Sequence, residues 1–241
     1  MAKKGNYGLD SPGIVVGLAT AGVVFLVLGI LMNSGWRWAW YGLAAYFFLG
    51  AAGMVFYSKV GKLALRERLL DKVAWHGDER VLDVGCGRGL LTVGAARRLT
   101  SGRVVGVDVW LRGAITGNSA ESALENAKAE GVSDKVEVKE GDAWNLPFEN
   151  GVFDAVVSNF VVHELQKRAD REQMMREMAR VLKPGGRIAL ADFIFTDECV
   201  EDLRKYGVNA TRERDGKISF WVTALLNFGM VRTYLVVGRK T

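Results

Sequence analysis

Residues 81–89 read Val-Leu-Asp-Val-Gly-Cys-Gly-Arg-Gly, VLDVGCGRG. A short apolar run bounded by glycines has the pattern of a buried strand. The glycines at 85, 87 and 89 then form a loop that can turn tightly and let its backbone approach a ligand closely. A dinucleotide fingerprint, G-x-G-x-x-G, would need glycine at position 90, which is Leu90. Asp83 also sits just before the loop. Its carboxylate would repel a pyrophosphate and attract an ammonium or sulfonium. The motif therefore reads as a nucleotide-type site that tolerates a cation.

Working outward, short apolar runs alternate with helical stretches. Strands are expected at 80–84, 104–109, 135–140, 153–159, 187–193 and near 233–237. Helices are expected at 90–99, 119–130, 171–182 and 197–206. Such alternation predicts an α/β fold, with a mostly parallel sheet covered on both faces and ligands bound at the carboxyl ends of its strands. Asp108 closes the second strand, where a carboxylate can accept both hydroxyls of a ribose. After the third strand comes GDAWNLPF, 141–148. There Asp142 can accept an exocyclic amine and the backbone of Ala143 can face a ring. Val109 and Trp110 offer an apolar wall.

These residues carry a resemblance. VLDVGCGRG, Asp108, GDAWNLPF, FDAVVSNFVVHEL (153–165) and VLKPGGRIAL (181–190) together resemble the class I S-adenosylmethionine-dependent methyltransferases, especially the branch acting on quinones, lipids and small molecules. The likeness covers about residues 80–240. It implies a Rossmann-like seven-stranded sheet whose last strand is antiparallel. It also implies S-adenosyl-L-methionine as cofactor and S-adenosyl-L-homocysteine as product. Asp83, Gly85, Cys86 and Gly87 would then lie at the methionine end, with Asp108, Val109, Asp142 and Ala143 around ribose and adenine. The acceptor is not implied, because one fold hosts many substrates.

Methyl transfer is a displacement at an already activated carbon, so alignment of the reactants dominates, worth roughly 7–11 kcal/mol. A base matters only when the acceptor arrives protonated. The end of the fourth strand is where the methyl should point. Asn159 there is a candidate for the cofactor amine or the acceptor. His163 and Glu164 form the chain's one adjacent His-acid pair; the candidates are His163 as base, or Glu164 as base or cation clamp, and the competing reading is a helix start with Glu164 solvated. Ser158-Asn159-Phe160-Val161 lacks the paired prolines expected of enzymes that methylate nucleobase amines, which counts against nucleic acid. The net charge of +5 is modest and fits solubility or attraction to anionic lipid equally well.

The amino-terminal sixty residues are different in kind. Residues 14–32 and 38–57 are uncharged and apolar, separated by Asn33-Ser34-Gly35-Trp36-Arg37. At about 1.5 Å per residue the first reaches about 28 Å, close to the roughly 30 Å hydrocarbon core of a bilayer. Residues 1–57 are thus expected to hold a transmembrane helical hairpin, with Trp36, Trp38, Trp40 and Tyr41 at one interface. Gly13, Gly17 and Ala21, with Gly42, Gly50 and Gly53, are candidates for close helix contact or for pairing with a second copy. Lys3, Lys4, Lys59, Lys62, Arg66 and Arg68 flank the hairpin, against Arg37 alone in its loop. That bias predicts two spans with both termini and the catalytic domain in the cytoplasm. Residues 58–76 read as an amphipathic juxtamembrane helix whose Lys59, Lys62 and Arg66 can face lipid headgroups. The methyltransferase domain would fill 77–241.

Two cysteines, Cys86 and Cys199, without CxxC or Cys/His spacing, predict neither a disulfide framework nor a metal site. The stretch KISFWVTALLNFGM, 217–230, is either core or an apolar element near the substrate mouth. The combined expectation is methyl transfer to a lipophilic acceptor, such as a phospholipid headgroup, quinone or hydrophobic small molecule, beside membrane lipids. The alternatives are methylation of a small thiol or amine or of a membrane protein and, from another class, a non-catalytic tethered cofactor-binding scaffold.

Overall fold

The computed structural model of the chain describes residues 5–32, 35–111, 115–215 and 233–241. Lys3, Lys4 and the apolar stretch 217–230 lie outside them. Two antiparallel helices come first, α1 (Pro12–Leu31) and α2 (Arg37–Phe56). Both are long and apolar enough to cross a membrane. Their outer faces are uncovered: Ile30 is 65% and Trp38 69% exposed. Contact between the two helices is made where rings fill gaps left by glycines. A Cβ on Gly29 would lie 2.5 Å from Tyr41, and one on Gly22 would lie 2.9 Å from Phe48. Gly13, Gly17 and Gly42 meet nothing within 4 Å. They are therefore not the contact positions of this hairpin.

A π-helical turn, Tyr57–Gly61, joins α2 to α3 (Lys62–Leu70). The amphipathic helix expected over 58–76 thus stops at Leu70. Leu69, Leu70 and Val73 are buried against the domain. The basic face is a correction. Lys59 is exposed, but Lys62 and Arg66 are only 4% and 6% exposed. Internal acceptors draw them in: Lys62 donates to the Tyr7 and Gly8 carbonyls and to Asp10. Arg66 lies 3.9 Å from Glu130.

The domain is built on β1 (Arg80–Val84), α4 (Leu90–Ala96), β2 (Arg103–Asp108), α5 (Ala120–Ala129), β3 (Val136–Glu140), β4 (Phe153–Asn159), α6 (Arg168–Val181), β5 (Leu182–Asp192), α7 (Thr196–Lys205), β6 (Val208–Arg214) and β7 (Tyr234–Lys240). The seven strands lie in the order β3-β2-β1-β4-β5-β7-β6, with β7 antiparallel to both neighbours. Alternation along the strands feeds two cores. Leu82, Val84, Val105, Val107 and Val156 join the face covered by α6 and α7. Val81, Val104, Ala155 and Val157 join the face covered by α3, α4 and α5. The strand order reverses between β1 and β4, where the Ser158 hydroxyl donates to the Val84 carbonyl at 2.8 Å. In an open α/β sheet a crevice forms at such a point. The strand β6 is not expected from the sequence. Its outer half, Arg212-Glu213-Arg214, is charged because it lies at a sheet edge, where charge guards against stray pairing.

Candidate active site

The crevice opens into a cavity of about 470 Å³ at the carboxyl ends of β1, β2 and β4. Gly85 has φ +73°, and a Cβ there would sit 2.1 Å from Val161 Cγ2. No other residue fits. The loop is stitched to β2, since the Gly85 and Cys86 amides both donate to the Val107 carbonyl. Asp108 then fixes the loop's next turn. One carboxylate oxygen accepts from the Gly87 amide at 2.7 Å and the other from the Trp110 amide at 2.6 Å. The Trp110 indole donates back to the Gly87 carbonyl at 3.1 Å. Each Asp108 oxygen keeps a lone pair for a ligand hydroxyl.

Asp83 is 1% exposed and accepts from the Thr92 hydroxyl at 2.6 Å. Burial pushes its pKa up to about 7; the Thr92 hydroxyl opposes this and Asp108 adds to it. A cation arriving beside it would return it to the carboxylate form. Cys86 packs its sulfur near Gly106, and burial raises the thiol far out of the reactive range. What it offers a ligand is backbone. Val109, Asp142, Ala143 and Asn159 all border the cavity. The sequence-selected cofactor residues are thus brought to one place.

The fit to S-adenosylmethionine is tested by what lacks a partner. Asn118 and Asn159 border the cavity, and each leaves its amide oxygen buried with no hydrogen bond among the described residues. Buried acceptors of this kind are costly until a donor arrives. An ammonium supplies one, and the ribose hydroxyls suit Asp108. The residues present fit the group.

Both catalytic candidates border the cavity, and the structure gives His163 a partner distant in sequence. Its Nδ1 lies 3.2 Å from Oδ2 of Asp192, a fully buried residue at the end of β5. The backbone amides of His163 and Phe193 hold that carboxylate in place. Burial pulls the imidazolium pKa down, but Asp192 and Glu164 outweigh it and the net shift is upward. Glu164 borders the cavity too, and desolvation raises its pKa. Asp192 was legible only as another strand end; nothing in sequence spacing joins it to His163.

A second element absent from the sequence reading is a strap, residues 5–11, laid over the glycine loop. Asn126 accepts from the Asn6 amide at 2.7 Å and donates to the Asn6 carbonyl at 3.0 Å. Arg88 donates to the carbonyls of Asn6, Thr116 and Gly117. Asp10, just before α1, accepts from Ser58 just after α2 at 3.1 Å and from Lys62 at 3.0 Å. Both ends of the hairpin are therefore clamped at the cavity mouth. Phe160 sits at the β4 end with φ +56°, a conformation costly outside glycine.

Residues 81–186 match the family model described as "Methyltransferase domain". The 27-O-demethylrifamycin SV methyltransferase of Amycolatopsis mediterranei is 31% identical over 172 residues, 71% of this chain and 57% of the relative. The chloroplastic 2-phytyl-1,4-beta-naphthoquinone methyltransferase of Arabidopsis thaliana is 35% identical over 136 residues, 53% of this chain and 48% of the relative. The chain spans about half the length of the curated relatives it matches. Geranyl diphosphate C-methyltransferase from Streptomyces coelicolor A3(2), solved with S-adenosyl-L-homocysteine, has the same fold, with a TM-score of 0.59 at 18% identity over 80% of this chain and 82% of that one. Glycine loop, strand-end carboxylates, sheet order and family match converge on a class I S-adenosylmethionine-dependent methyltransferase domain.

Proposed function

We propose that this chain methylates a lipophilic acceptor at the cytoplasmic face of a membrane. One observation carries the reading: a single cavity is bordered at one side by the cofactor loop and at the other by Met54, Tyr57 and Ser58 at the end of an apolar hairpin. S-adenosylmethionine, when bound, supplies a methyl group activated by sulfonium. The protein's residues do the rest. Asp108 and Asp142 hold the nucleoside, Asn118 and Asn159 receive donors, and the strap excludes water from the loop. With Nδ1 engaged by Asp192, His163 keeps Nε2, which has no hydrogen-bond partner among the described residues, to accept a proton from an acceptor X–H group. Asp192 steadies the resulting imidazolium.

The membrane reading rests on the length and uncovered apolar faces of α1 and α2. Its sidedness rests on Lys59 and Arg68 beyond the carboxyl end of α2, against Arg37 alone at its amino end. Homologous enzymes named for rifamycin and naphthoquinone substrates favour a hydrophobic small molecule. The test is incubation of the full chain with methyl-labelled cofactor and a total membrane extract, followed by phase partition. Label is expected in the organic phase. Label confined to the aqueous phase would refute a lipophilic acceptor, and tight cofactor binding without any label would mark a scaffold.

A further inference from the structure

The hairpin does more than border the cavity. Tyr57 begins the π turn, and its ring packs so closely on Gly61 that a Cβ there would lie 2.5 Å away. π turns inside helices are frequent at functional sites. Across the cavity the Tyr57 ring lies 6.4 Å from that of Phe160. Phe160 is 6.0 Å from Phe193, which lies 4.6 Å from His163. A continuous apolar and aromatic wall therefore runs from the last turn of α2 to the proton-accepting histidine.

The charges on the lining select what such a wall can take. Asp10, Asp83, Asp108, Asp142 and Glu164 border the cavity. Its two described cationic side chains, Lys62 and Arg88, are already committed. Lys62 serves Asp10 and two carbonyls. Arg88 serves three carbonyls of the strap and the 116–117 turn. Lys62 and Arg88 keep their charge but spend their donors on Asp10 and on backbone carbonyls. Even with His163 protonated the five described carboxyl groups outnumber the cations, so a phosphate entering there would meet net repulsion.

We infer that the last turn of α2 and the Phe160–Phe193 wall form the acceptor subsite, and that it takes a neutral polar head on an apolar chain, admitted sideways from the bilayer past Met54. Anionic phospholipids are excluded as acceptors. This rests on the methyltransferase reading but extends the site beyond the matched residues 81–186, since residues 54–58 precede residue 81 and Phe193 follows residue 186.

The test uses the full chain in phosphatidylcholine nanodiscs with two photoreactive probes: a diazirine-bearing hexadecanol, and phosphatidic acid with the same diazirine chain. The neutral probe is expected to label peptides containing Met54 and Phe160. Met54→Trp, which narrows the route, should cut labelling at Phe160 at least fivefold, and Met54→Leu should restore it. Calorimetry with S-adenosylhomocysteine should give both variants a cofactor Kd within twofold of the parent, showing that the domain is intact. Equal labelling of Phe160 by phosphatidic acid would overturn the inference. So would neutral-probe labelling of Phe160 that is absent, or indifferent to Met54→Trp. Absence of S-adenosylhomocysteine binding by the unsubstituted chain would instead defeat the cofactor reading, while labelling in that same sample still reports on the apolar site.

Discussion

The two ends of the cavity are built by different means. At the cofactor end the key positions are fixed by directional hydrogen bonds: the Gly85 and Cys86 amides to the Val107 carbonyl, the Gly87 and Trp110 amides to the Asp108 carboxylate, and the Thr92 hydroxyl to the Asp83 carboxylate. At the acceptor end the wall is made largely of rings and aliphatic side chains at the ends of α2, β4 and β5, with the His163–Asp192 pair, Glu164 and the Tyr57 hydroxyl among its polar groups. Directional bonds specify one ligand, whereas apolar walls admit any molecule of suitable shape and polarity. A shared cofactor with variable acceptors is what that division produces.

The division is broken most severely by Gly85→Ala. The added methyl meets Val161 and the backbone is held at positive φ, so cofactor binding should fall below detection by calorimetry. Next comes His163→Ala, expected to lower kcat by about 10²–10⁴ for an acceptor that must lose a proton, with the cofactor Kd unchanged. Asp192→Asn should reproduce much of that loss and move the pH profile. In the parent protein, activity should rise with pH through a value above 6.5, because Asp192 favours the imidazolium and the base works as the neutral form. A profile unmoved by Asp192→Asn would separate the pair from the chemistry. Asp108→Ala removes two charge-assisted bonds from the loop, each worth about 1.5–3 kcal/mol. Cofactor affinity should drop by at least about tenfold, with kcat at saturation less affected.

Asp83 gives a smaller, pH-dependent effect. Its folded pKa of about 7 lies above the ordinary 3.8, so the folded state holds a proton that the unfolded state releases. Stability of the cofactor-free protein from this group is complete below about 4 and is lost as pH rises through about 7. A cationic ligand reverses the preference. Cofactor affinity should therefore increase by about tenfold between pH 6 and 8, and Asp83→Asn should flatten that dependence in calorimetry. The smallest expected effect separates the faces of the hairpin. Gly17→Leu points into open space and should leave the thermal midpoint unchanged, while Gly29→Leu collides with Tyr41 and should loosen the hairpin, seen as faster proteolysis near the 32–37 turn.

Much of the cofactor end was legible because its residues lie at ends of consecutive strands, and strand ends are visible in the apolar pattern. β1 and β4 match the expected limits at residues 80–84 and 153–159. β5 begins at Leu182 rather than near 187 because Pro184-Gly185-Gly186 disguises its first half. The edge strand β6 was hidden by its charges. His163 was legible as a candidate, but its partner was not. Glu164 is adjacent in sequence, yet Asp192 is adjacent in space because β4 and β5 pair in parallel with Asn159 opposite Ala191. The burial of Lys62 and Arg66 was likewise hidden, since the groups that draw them in, the strap for Lys62 and Tyr7 with Glu130 for Arg66, lie fifty or more residues away in the chain.

By itself, the sequence determined the alternation of strands and helices, the glycine loop with its strand-end carboxylates, and the two long apolar helices. All of these depend on local spacing, backbone freedom and hydrophobic period. Only the tertiary structure decided that Asp192 supports His163, that a strap locks the glycine loop, and that the base of the hairpin joins the cavity wall. Those are contacts between segments far apart in the chain, and their partners are chosen by sheet register and packing, which no local pattern encodes.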